Sequence, residues 1–138
     1  MRFMMVILRS DWPDTKKPAE IKDKAAFLEM GKYNDQLKKA GILLAMDGLT
    51  PPSMGARLTY KGGKAKITDG PFTEAKEVIA GYWMIEVKSR EEALEWASRI
   101  PCMEEGTVEV RRVVEIADFD PDIQKKFADS GAKLGVQR

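Results

Sequence analysis

The sequence predicts a single α+β domain in which two strand–helix–strand units flank a β-hairpin. Three observations predict it. Apolar runs of strand length open and close each unit, amphipathic stretches with helical spacing lie inside the units, and Gly62-Gly63 punctuates an alternating stretch between them. The 138 residues allow one domain and little more.

Residues 2–9 (RFMMVILR) are a continuous apolar run with charged ends, the pattern of a strand buried on both faces. Phe3, Met5 and Ile7 point one way; Met4, Val6 and Leu8 point the other. Residues 10–14 form a loop in which Trp12, beside Pro13, is either a lid packed on the core edge, the favoured role, or a pocket wall. Residues 18–40 form the main helix. Ala26, Met30, Tyr33, Leu37 and Ala40 make an apolar stripe of helical period, Gly41 suits the C-terminal turn, and Lys38 and Lys39 favour the negative end of the dipole. Residues 42–49 (ILLAMDGL) form the second strand, which Asp47-Gly48 either ends or bulges. Residues 50–55, with Pro51-Pro52, are a rigid connection.

The hairpin spans residues 57–69. Counting outward from Gly62-Gly63 pairs Lys61 with Lys64, Tyr60 with Ala65, Thr59 with Lys66 and Leu58 with Ile67. Leu58, Tyr60, Ala65 and Ile67 then share one face, and a lysine-rich set shares the other, as on a protected edge. Asp69-Gly70-Pro71-Phe72 is a turn: Pro71 restricts Gly70, Gly70 tolerates unusual backbone angles, and Asp69 is suited to an Asx-type turn. Residues 81–87 form the next strand. Ser89 and Glu92 have the spacing of a capping box; Ala93, Ala97 and Ile100 continue a helical stripe that Pro101 stops. Residues 106–116 form the last strand, and Asp120-Pro121 starts a short helix that Ile123 and Phe127 dock.

This order is a ferredoxin-like split βαβ plan with an inserted hairpin. Two helices shield one side of the sheet only. The other side keeps half of the first strand and half of the residues 81–87 strand, so the expected cover is a second copy, giving a homodimer with the sheets back to back, a dimeric α+β barrel. The expected boundaries are a domain over residues 1–117 and a C-terminal extension over residues 118–138.

Composition excludes several chemistries. The formal net charge of +1 provides no basic field for nucleic acid. There is no histidine, which removes Ser-His-Asp and Cys-His catalysis and nearly all zinc sites. Cys102 is the only cysteine, so no intramolecular disulfide forms, and a reducing cytoplasm is the expected compartment. No stretch is long enough to span a membrane. No cofactor or metal is expected; carboxylates at Asp47, Asp69, Glu74 and Glu77 have no spacing that resembles a known metal loop.

The run DGPFTEAKE at Asp69–Glu77, followed by residues 78–83 (VIAGYW), resembles the DGPF-motif branch of the YCII-related superfamily. The similarity extends over residues 1–116, through Gly48-Leu49 ahead of Pro51-Pro52 and the helix beginning at Glu92. Ala80 departs from the glycine common at that position. The resemblance implies a dimeric ferredoxin-like barrel with a pocket for a small organic ligand. It also implies a link, in some members, to sigma factors of transcription control. The His-Asp pair associated with one branch has no counterpart in a chain without histidine.

Whether a reaction is catalysed stays open. If one is, lyase or isomerase-type acid–base chemistry on a small molecule is expected, with Asp69 as the base. Arg57 or Lys76 would hold an anionic group; Phe72, Glu74, Tyr82 and Trp83 would line the site. The alternatives are that Asp69 serves only its own turn, and that the chain is a non-catalytic regulatory or interaction module for a sigma factor, docking through its C-terminal extension.

Overall fold

Strand β1 (Arg2–Arg9) is the spine of the sheet. It pairs antiparallel with β5 (Val78–Glu86) on one side and with β6 (Thr107–Arg112) on the other. Strand β2 (Leu43–Gly48) completes the sheet on the outer edge of β5, so the order is β2-β5-β1-β6. Each strand–helix–strand unit therefore has a strand of the other unit between its own two. The computed structural model describes residues 1–10, 23–70, 72, 77–101 and 103–134. Trp12, Pro13, Pro71, Glu74, Lys76 and Cys102 lie outside the described residues, as does the start expected for the first helix at Pro18.

Helix α1 (Lys24–Lys39) begins at Asp23, whose carboxylate accepts from the Ala26 amide at 3.0 Å. Its C-terminus is a Schellman closure. Gly41, at φ 72°, lets its N–H reach the Lys38 carbonyl at 3.0 Å while Ile42 N–H reaches Leu37 O at 3.2 Å. Helix α2 (Arg90–Ser98) has Ser89 as its cap: the hydroxyl accepts from Glu92 N–H at 3.1 Å. The return half of the expected capping box is displaced by one residue, because Glu92 Oε2 accepts from Lys88 N–H at 3.0 Å.

Both helices stand over the face that carries Phe3, Met5, Trp83, Ile85, Val108 and Val110. Met5, Leu37 and Ile85 are fully buried there, with Tyr33 and Ala93 beside them. The second face reads in rows across the strands: Ala45, Met84, Met4 and Arg111 in one, Asp47, Tyr82, Val6 and Glu109 in the next. Val6 is buried between its neighbours, whereas Met4, Leu8, Tyr82 and Met84 stay half-buried.

The hairpin is a separate two-stranded sheet, β3 (Ala56–Lys61) with β4 (Lys64–Asp69). Its register is the one counted from Gly62-Gly63, and those glycines take φ 59° and 76°, as a two-residue hairpin turn requires. Every residue of both strands is exposed; on the apolar face Tyr60 keeps 69% and Ile67 67% of its surface.

The last strand is shorter than residues 106–116. It stops at Arg112, and the chain enters a 3-10 turn at Ile116–Asp118. Its partner strand runs out there, with Phe3 opposite Arg112 and Val113 N–H donating to Arg2 O at 2.9 Å, and two ion pairs brace the turn that follows. Arg112 grips Asp118 through both nitrogens at 2.8 and 2.9 Å, and Arg2 grips Glu115 at 2.7 and 3.0 Å. Glu115 and Asp118 also close a capping box on the turn. Val114, beyond the end of the strand, is half exposed. Helix α3 (Pro121–Ser130) then starts at Asp120, whose carboxylate accepts from Ile123 N–H, and Phe127 stacks on Phe119 at 5.9 Å.

Candidate functional site

Gly48 of β2 and Gly81 of β5 face each other on the helix-covered side of the sheet. Neither projects a side chain, so a groove of about 400 Å³ opens between that bare backbone and α1. Met46 and Trp83, the next pair along the same face, form one end. Ile7 and Ala80 border the floor, and Met30 and Asn34 reach it from α1. The spacing is that of one helix turn, since residues four apart share a face.

The aromatic wall is held rigidly. Tyr33 meets Trp83 edge-on, with ring centroids 5.7 Å apart at 89°, and contacts Trp96 at 6.5 Å. The Tyr33 hydroxyl donates to the Trp96 carbonyl at 2.8 Å, and burial pushes its pKa up to about 12. Trp83 Nε1 donates to Asn34 Oδ1 at 2.8 Å. Tyr82 bounds the groove from its strand while its ring turns to the second face. There its hydroxyl donates to Asp47 Oδ2 at 2.8 Å, which raises the phenol pKa.

A larger cavity of about 850 Å³ adjoins the groove and shares Ile7, Met30 and Ala80 with it. Asp23, Glu29, Glu104 and Glu105 line its polar parts together with Arg9. Among the described residues, no three carboxylate or cysteine side chains converge as a metal site.

Of the residues expected from sequence, the groove brings together Tyr82 and Trp83. Arg57 is elsewhere, its guanidinium 3.9 Å from the centroid of Phe72, an arrangement that gives that ring a cationic cover. Asp69 is exposed at the end of β4, opposite Ala56, and is not among the groove's described lining residues. Glu74 and Lys76 lie outside the described residues. Sequence reasoning missed Asn34, Met30 and Met46 as site residues. The signal available was a polar residue four positions after Met30, beside the apolar stripe rather than opposite it.

The turn expected at Gly70 is explained by a neighbour. Pro52–Met54 is a 3-10 turn crossing the root of the hairpin, and Gly70 N–H donates to Gly55 O at 3.0 Å. The Pro52 carbonyl packs directly on the Gly70 α-carbon. Gly70 is thus required for close approach, and its φ is not in the left-handed range.

No helix among the described residues is long and apolar enough to cross a membrane. An uncharacterised protein of Rhizobium meliloti (strain 1021) is 28% identical over 92 residues, which cover 67% of this chain and 74% of the relative. A family model, the YCII-related domain, matches residues 1–117, from the residue before β1 into the 3-10 turn that follows β6. The chain belongs to the YCII-related domain family.

Proposed function

We propose that this protein is a homodimer of the ferredoxin-like, DGPF-motif kind that binds a small organic molecule in the groove above Gly48 and Gly81. The observation that carries the reading is the groove itself: about 400 Å³, mostly apolar, with the Asn34 amide preset, Asp47 and Tyr82 paired at its border and a buried tryptophan wall. The β2-β5-β1-β6 order supports the ferredoxin-like plan. The half-buried Met4, Leu8 and Met84 of the open face support a second copy as its cover. So does the exposed apolar side of the hairpin, since a two-stranded ribbon is only marginally stable without packing. The Gly70–Pro52 packing supports the DGPF assignment by giving that glycine a structural task. A single cysteine supports a reducing compartment.

The test is a thermal-shift screen of small aromatic compounds against wild type and Ala80→Leu, a substitution that fills the groove from its rim. Compounds that stabilise wild type and leave Ala80→Leu unmoved support the reading; equal shifts in both proteins contradict it.

A second reading concerns the C-terminal extension over residues 118–138. Helix α3 leaves Ile123 more than a third exposed, as is Leu134 in the chain beyond it, while Phe127 anchors the helix to Phe119. This favours α3 as a docking helix for a protein partner, of which a sigma factor is the kind the DGPF resemblance suggests. Truncation after Ala117 that abolishes partner binding while keeping ligand binding supports it, and retention of both defeats it.

A further inference from the structure

We infer that the groove selects a flat, non-anionic, ring-sized molecule that presents a carbonyl-type hydrogen-bond acceptor to the Asn34 amide. The inference rests on the reading of the groove as a ligand site and adds the chemistry of its occupant.

The indole N–H of Trp83 can only donate. Asn34 must therefore turn Oδ1 toward it, and the 2.8 Å contact sets the orientation of the whole amide. The Nδ2 group is then directed away from the indole, with two N–H donors. No hydrogen bond among the described residues uses them. Asn34 borders the groove, so its preset polar function there is donation. A ligand acceptor satisfies it, whereas a ligand offering only donors leaves those N–H groups unanswered.

Shape and charge narrow the class further. The paired glycines leave a flat strip of backbone as the floor, and the Met30 and Met46 thioethers flank it, side chains that adapt to and favour aromatic rings. A cavity of roughly 150 Å³ holds benzene. The groove's 400 Å³ therefore takes one ring with substituents. Asp47 lies in the groove's own lining, and the adjoining cavity carries Asp23, Glu29, Glu104 and Glu105 against Arg9, a field that disfavours an anionic acceptor such as a carboxylate.

The experiment follows the Trp83 indole N–H signal by NMR, assigned by its loss in Trp83→Phe, during titration with four probes of similar size. Acetophenone offers a neutral acceptor, ethylbenzene no polar group, benzoate an anion and aniline chiefly donors. Acetophenone is expected to bind roughly two- to tenfold more tightly than ethylbenzene, the range for one added neutral hydrogen bond, and more tightly than benzoate or aniline. Asn34→Asp keeps an acceptor for the indole and removes both donors. It should retain the indole signal and the folded transition while abolishing the preference for acetophenone. Equal affinity for all four probes, or an acetophenone preference unchanged in Asn34→Asp, overturns the inference and leaves the groove reading standing. Absence of any response up to the solubility of every probe defeats both.

Discussion

The Pro52 carbonyl occupies the space that a β-carbon on residue 70 would need. A methyl group at Gly70 would stand 1.9 Å from Pro52 O and 2.8 Å from its carbonyl carbon. Both partners are backbone, so neither can swing aside as a long side chain would. Gly70→Ala is therefore expected to destabilise the protein by more than the roughly 1–3 kcal/mol typical of overpacking by side chains. Denaturant unfolding of the pair checks this, and a variant as stable as wild type would show that the hairpin root is packed otherwise.

Gly31 supplies the opposite case. It lies within α1, and nothing stands within 4 Å of the position a β-carbon would take. Gly31→Ala should stabilise by about 0.5–1 kcal/mol, because alanine loses less conformational freedom in a helix. A higher denaturation midpoint with unchanged slope is the expected outcome.

Tyr33 joins α1 to α2 through its hydroxyl and carries the edge-on contact with Trp83. Its folded pKa, raised to about 12, lies above the unfolded value near 10. The neutral phenol thus contributes stability that is fully present below about pH 10 and is lost as pH rises through about 12. Tyr33→Phe should lose roughly 0.5–1.5 kcal/mol at neutral pH, and ultraviolet titration should lose its most alkaline phenolate step. A late step that persists in the variant would assign it to another tyrosine.

The ion pairs that follow β6 titrate in acid. Arg2 holds the Glu115 carboxyl below its ordinary value through their hydrogen bond, and Arg112 does the same to Asp118. Depressed folded pKa values contribute stability that is present above the unfolded values, near 4, and disappears as pH falls through the folded ones. Both groups are solvent-accessible, so the effect is modest and salt-sensitive. Glu115→Gln with Asp118→Asn should flatten the fall in melting temperature below about pH 4. An unchanged acid limb would locate the proton uptake elsewhere.

Local chemistry was legible in the sequence where it alone decides. The Gly62-Gly63 turn determined every pair of the hairpin, because register follows from turn length. The caps at Ser89 and Asp120 and the Gly41 closure were readable for the same reason. Tertiary contacts decided the rest. The end of β6 depends on where β1 runs out, far away in the chain, so a run of valines suggested a longer strand than forms. Gly70 read as a free-angle glycine because its neighbour Pro52 is invisible along the chain. Tyr82 and Trp83, named from the sequence after the turn motif, do border the candidate groove; Asn34 was not legible, since its bond appears only when α1 lies against Trp83.

Sedimentation at low micromolar concentration tests the pairing of open sheet faces most directly. Wild type is expected to sediment as a species of twice the 15.5 kDa chain mass. Met84→Lys, which places a charge in the row between Ala45 and Met4, is expected to be a folded monomer. A monomeric wild type, or a Met84→Lys variant that remains as dimeric as wild type, would contradict the pairing.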